Sequence, residues 1–255
     1  MKIKKIVAAT ALAAASFTTV APANAGIIQL GFILDRSGSI GSTNWNTIVN
    51  GLSSAINTYI PVGGTDTYEI SVVTFSTAAT INIANVQVTD ATVRSNLASQ
   101  IAALSGIYSG GNTNFADAFT KMTDVIDNTI QGATYSYVNF ATDGQQNTGG
   151  DGYAAKNALL AAGVDNLSTE GIGTGVDVND LTTNFCSPTP CDTTNPYSFP
   201  TTGFYIGVAD AAGYAAAIGN KIRIVTQQVP EPGTIALLGL GLLGLGAARR
   251  RKQTA

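Results

Sequence analysis

The sequence predicts an α/β domain with a mostly parallel central sheet, and two observations carry the prediction. Short runs rich in Ile, Val, Phe and Tyr alternate along the chain with longer segments whose apolar residues recur at helical spacing. Clusters of Gly, Pro, Asn and Thr punctuate the joins, and no internal repeat is visible.

The first strand is GIIQLGFIL (26–34), a continuous apolar run too short and too rich in isoleucine to favour a helix. Residues 45–59 follow as a helix, with Trp45, Ile48, Val49, Leu52, Ala55, Ile56 and Tyr59 at helical spacing, and Pro61-Val62-Gly63-Gly64 stops it. YEISVVTF (68–75) is the second strand, and the alternating stretch 79–88 is an edge strand. Asp90 begins a helix that buries Val93, Leu97, Ile101 and Leu104. Residues 114–130 form another, with Phe115, Ala118, Phe119, Met122, Val125 and Ile126 on one face. A strand at 135–141, a helix at 154–162, strands at 164–172 and 204–208 and a helix at 211–224 complete the set. The polar stretch 177–202 reads as an insertion or long loop, and Asp177 and Asp210 as helix caps rather than chemistry.

Both ends look like addresses. Residues 1–25 carry Lys2, Lys4 and Lys5, an apolar run over 6–15 and Ala23-Asn24-Ala25, the order of a secretory signal cleaved before Gly26. The other end reads VPEPGTIALLGLGLLGLGAARRRK (229–252), with an apolar stretch over 235–248. As a helix that stretch spans roughly 21 Å, short of the ~30 Å hydrocarbon core. Arg249, Arg250, Arg251 and Lys252 would keep its end in the cytoplasm and the domain outside, so transient insertion in the inner membrane is expected. The Pro230-Glu231-Pro232 tripeptide, the short apolar helix and the terminal Arg cluster together resemble the PEP-CTERM sorting signal of Gram-negative bacteria. That resemblance implies an exosortase as processing partner, with the protein released or attached at the cell surface. The expected organisation is therefore a signal peptide (1–25), one domain (26–228) and a sorting tail (229–255).

Without the two ends, six basic residues face 15 acidic ones, a formal charge of −9. Such a body is a poor partner for nucleic acid and a reasonable host for cations. Cys186 and Cys191, in a loop rich in Pro, Thr and Asn, read in an exported protein as a disulfide closing a small ring.

In an open parallel sheet, ligands bind beyond the carboxyl ends of the strands. Three loops at such positions carry small oxygen donors and glycine: Asp35, Ser37 and Ser39 after the first strand; Ser109-Gly110-Gly111-Asn112-Thr113 before a helix; and Thr142-Asp143-Gly144 after the strand at 135–141. Catalysis fits them badly. The chain has no histidine, which removes the usual base for a serine nucleophile and the usual zinc ligand. Ser37 lacks the G-x-S-x-G elbow, and the glycines do not form a phosphate-binding G-x-x-x-x-G-K-[ST]. Two carboxylates among hydroxyls suit Mg²⁺, Mn²⁺ or Ca²⁺. Taken singly, each motif has a plainer reading: Asp35-x-Ser37 a cap for the next helix or an Asx-turn, Thr113-Asn114 an N-cap, Asp143-Gly144 a turn.

Together, D-x-S-G-S, G-G-N-T-N and T-D-G in this order resemble the von Willebrand factor A domain, over roughly 27–225, including AAGVDNLSTEGIGTGVD (161–177). The resemblance implies a Rossmann-like, doubly wound sheet flanked by helices and a metal-ion-dependent adhesion site. By it, Ser37 and Ser39 ligate the metal directly, Thr113 directly or through water, and Asp35 and Asp143 largely through waters, with Mg²⁺ expected first and Mn²⁺ or Ca²⁺ as alternatives. A ligand carboxylate fills the open position. The departures from the family pattern are the cysteine-containing insertion and the shortage of charge. The expected function is a non-enzymatic, exported adhesion or ligand-binding domain at the cell surface or in the extracellular matrix, whose partner is a protein or polysaccharide with an acidic group. The alternative is a structural biofilm or exopolysaccharide-associated envelope protein in which metal is incidental.

Overall fold

The computed structural model describes residues 26–227. The signal segment, the sorting motif Pro230, Glu231 and Pro232 and the apolar run after it lie outside the described residues. Among the described residues no helix is long and apolar enough to cross a membrane.

The central strand is β1 (Ile27–Asp35), flanked by β2 (Thr67–Phe75) and β4 (Tyr135–Thr142), both parallel to it. β5 (Asn166–Ile172) and β6 (Tyr205–Val208) continue the parallel sheet, and β3 (Ala79–Val88) closes the other edge antiparallel to β2. The order is therefore β3-β2-β1-β4-β5-β6, and the chain's direction of travel across the sheet reverses between β1 and β4. Strands buried on both faces explain the near-continuous apolar runs, and the half-exposed β3 explains its alternation.

Helices cover both faces. On one side α1 (Gly41–Tyr59), α2 (Ala91–Ala103) and α6 (Ala211–Gln227) share one core with Ile28, Leu30, Phe32 and Leu34 of β1. On the other, α3 (Phe115–Ile126), α4 (Gly152–Ala161) and α5 (Val178–Asn184) pack on Ile33, Val73 and Phe140. Gly31 makes room for α3: a Cβ there would fall 2.7 Å from Met122 Sδ.

Several boundaries differ from those read in the sequence. α1 begins at Gly41 rather than Trp45, because its N-cap residue Ile40 makes no side-chain cap bond and leaves no signature. α3 stops at Ile126, and Ile130 instead packs from a separate 3-10 turn over Ile130–Gly132. The stretch 177–202 is not all loop, since it holds α5, capped by Asp177 Oδ1 accepting from Asp180 N–H at 3.0 Å. Asp210 caps α6 in the same way through Gly213 N–H at 2.8 Å, so both expected caps are caps. Cys186 and Cys191 are disulfide-bonded, with Cα atoms 5.8 Å apart.

Candidate functional site

The reversal between β1 and β4 leaves a crevice at the carboxyl edge of the sheet, the position where open α/β sheets bind ligands. Asp35 is the last residue of β1 and only 2% exposed. Its Oδ1 accepts from Ser37 N–H at 2.8 Å, and its Oδ2 accepts from the Thr142 hydroxyl at the end of β4 at 2.7 Å. The Asx-turn read as an alternative is thus present, but it caps nothing. Its effect is to turn the chain so that Ser37 Oγ comes within 3.2 Å of Ser39 Oγ. The Ser39 hydroxyl donates to Asp143 Oδ1 at 2.7 Å. Four of the five expected residues are therefore linked by hydrogen bonds across two strand ends, Asp35 to Ser37 through the Ser37 N–H and the rest through side-chain oxygens.

The fifth, Thr113, arrives on the middle loop. Gly38 N–H donates to Gly111 carbonyl at 2.9 Å, which stitches that loop to the serine loop. Gly111 sits at φ +99°, a conformation L side chains rarely adopt, and a Cβ there would lie 2.7 Å from Thr77 Oγ1. Thr113 is buried, its N–H held by Asn147 Oδ1 at 2.9 Å and its carbonyl by Asn147 N–H at 3.0 Å. Asn114 caps α3 by accepting from Asp117 N–H at 3.1 Å, while its Nδ2 donates to Thr77 carbonyl at 3.0 Å. The N-cap reading of Thr113-Asn114 holds at Asn114, which leaves the Thr113 side chain outside the capping bonds.

Below, Phe115 packs edge-on against Phe140 at 4.8 Å and Phe185 at 5.2 Å, which fixes the start of α3 and hence the middle loop. Arg36 braces the same loop from the other side, donating to Ile107 carbonyl at 3.1 Å, to the Ser109 hydroxyl and to Thr74 Oγ1 at 3.1 Å. Asn147 and Arg36, and the hold that Thr142 has on Asp35, are not legible in the sequence, because each acts on a residue distant along the chain.

The electrostatics are those of an uncompensated acid pair. Burial pushes the Asp35 carboxyl up to about 6, against the hydrogen bonds from Thr142 and Ser37, and the neighbouring Asp143 charge pushes it the same way. Asp143 is also raised by burial, partly offset by Ser39. Among the described residues neither carboxylate has a Lys or Arg ion-pair partner. Nor do the described residues hold a group of three or more His, Cys, Asp or Glu placed for a metal, so any cation here would depend on hydroxyl donors as well. Beside the site, between α3, α4 and α5, opens a polar cavity of about 620 Å³ whose lining includes Asp151, Asp177, Asp180 and Tyr153.

A model of the von Willebrand factor type A domain matches residues 29–202, and a model of the PEP-CTERM protein-sorting motif matches residues 228–252. No curated protein matches the chain. Among solved structures, proximal thread matrix protein 1 from the mussel byssus is similar at TM-score 0.60 and 19% identity, over 78% of this chain and 46% of that one. A second structure of that protein, described as having a zinc-occupied MIDAS motif, is similar at TM-score 0.57 and 18% identity, over 80% of this chain and 47% of that one. Manganese-loaded TRAP protein from Plasmodium vivax is similar at TM-score 0.51 and 21% identity, over 78% and 74%. The chain thus spans about half the length of the mussel protein, and these likenesses concern the fold.

Proposed function

The chain belongs to the von Willebrand factor type A family, and on that premise we propose that it is an exported surface or matrix protein that binds an acidic ligand through a divalent cation. The observation that carries this reading is the connected set Asp35, Ser37, Ser39 and Asp143, with Thr113 stitched beside it, at the switch point of the sheet. Ser37, Ser39 and Thr113 would supply neutral hydroxyl donors, and Asp35 and Asp143 the negative charge, largely through bound waters. Hard oxygen donors of this kind fit Mg²⁺, our first assignment, or Mn²⁺ or Ca²⁺. A cation also supplies the counter-charge that the two carboxyls, both raised by burial, lack. When bound, it offers a Lewis-acidic position to an anionic oxygen. The protein's own part is to hold that position rigid, through Thr142, Gly38–Gly111 and the phenylalanine cluster.

With no histidine and no activated nucleophile, the site supports binding rather than turnover. The sorting motif supports export and processing by an exosortase. On this reading the tail's apolar run would serve as a transient inner-membrane anchor, after a domain spanning 26–228. A structural role in extracellular matrix is the second reading, favoured by the likeness to a byssal matrix protein. A pull-down from the native cell surface with and without EDTA separates the two. Ligand binding lost with EDTA and with Asp35→Ala supports the adhesion site, and retention unaffected by either supports the matrix role.

A further inference from the structure

Three buried side chains that the candidate site does not use meet beneath α6: Asn139 of β4, Glu170 of β5 and Lys221 of α6. Lys221 Nζ is in contact with Asn139 Oδ1 and lies 3.8 Å from Glu170 Oε1. Asn139 Nδ2 donates to Glu170 Oε2 at 3.2 Å. The floor is apolar, with the Phe204 ring centroid 4.8 Å from Lys221 Nζ and Tyr197 stacked on that ring.

As a plain ion pair this arrangement is poorly built. Glu170 Oε1 has no hydrogen-bond partner, and neither has the buried Tyr214 hydroxyl, among the described residues. Two charges in such a place cost much of what their attraction returns. Burial lowers the Lys221 amine to about 8 and raises the Glu170 carboxyl, so a proton passed from one to the other leaves a neutral amine beside a neutral acid. The amine then faces the amide carbonyl of Asn139, and the acid faces the amide nitrogen.

We propose that Lys221 and Asn139 join in an intramolecular amide bond, with Glu170 as the proton-transfer residue. The neutral Nζ attacks Asn139 Cγ, forming the new C–N bond, while Glu170 donates its proton towards the amide group. The Cγ–Nδ2 bond breaks, and the nitrogen leaves as ammonia with the one proton it gains from Glu170, which is restored to its starting protonation state by the proton that Nζ gives up. One amine and one primary amide become one secondary amide and one ammonia, with no oxidant, reductant or other co-reactant. A cavity of about 20 Å³ lined in part by Asn139, Ser168 and Lys221 gives room for a molecule the size of ammonia or water. The bond would pin α6 to the middle of the sheet across 82 residues of sequence. That is a useful reinforcement for a domain whose Proposed function is outside the cell, although the proposal does not rest on that function.

Peptide mapping of the purified full chain, reduced and digested with trypsin, tests this directly. The expected result is a branched peptide joining the segments that contain Asn139 and Lys221, lighter than their sum by one ammonia and uncleaved after Lys221. Linear peptides only, including ones cleaved after Lys221 or with ammonia lost from Asn139 alone, would overturn the proposal without reference to any variant. Glu170→Gln is expected to reduce the branched peptide at least tenfold in folded protein, and an undiminished yield would overturn the role of Glu170.

Discussion

The seam between α1 and α6 offers a test in which two physical effects oppose each other. Gly51 lies within α1 where α6 crosses it, and a Cβ added there would fall 2.5 Å from Ala215 Cβ and 2.6 Å from Ala215 Cα. Carbon contacts settle near ~3.5–4.0 Å, so Gly51→Ala forces the helices apart by roughly 1 Å. The obstructing atom is partly backbone, which has no rotamer to yield. In an open helix the same substitution would stabilise by about 0.5–1 kcal/mol. Overpacking of this kind costs about 1–3 kcal/mol, which leaves a net loss near 1–2 kcal/mol. At about 2–4 °C per kcal/mol for a domain of this size, Tm falls by several degrees. Urea unfolding followed by circular dichroism reads the change as a lower midpoint at constant slope. A midpoint that rises, as helix propensity alone would have it, refutes the packing argument.

Further expectations follow from single contacts. Asn114→Ala removes the α3 cap and the bond to Thr77 carbonyl, costing about 1 kcal/mol in thermal unfolding. Thr142→Val keeps the volume but leaves Asp35 Oδ2 without its hydroxyl donor; cation affinity measured by calorimetry falls roughly 10–100-fold, and an unchanged value would remove Thr142 from the site. Replacing both Cys186 and Cys191 with Ser opens a short ring and lowers stability by about 2 kcal/mol without loss of fold, read as a shift in denaturation midpoint.

What the sequence made legible was whatever repeats locally. β1, β2 and β4 were visible as apolar runs, and α3 as a stripe from Phe115 to Ile126, because burial on a regular element writes a period into the chain. α5 was not, since of its seven residues only Leu181 is buried and one residue has no period. The site was legible to the extent that its loops carry their own signatures: D-x-S-G-S, the paired glycines and T-D-G each stand at a strand or helix end. Its supports were hidden. Thr142 reaches Asp35 across 107 residues, and Asn147 reaches Thr113 across 34. The Glu170–Lys221 pair was equally invisible, as nothing in either segment marks it before β5 and α6 are packed together.

The central claim is that the three loops hold a divalent cation, and titration of the purified chain with Mn²⁺, followed by electron paramagnetic resonance, tests it most directly. Wild-type protein is predicted to bind Mn²⁺ at a single saturable site from which excess Mg²⁺ competes it. Asp35→Ala and Ser39→Ala, each confirmed as folded by circular dichroism, are predicted to lose that site. No saturable binding by the wild type, or binding unchanged in both folded variants, would contradict the account.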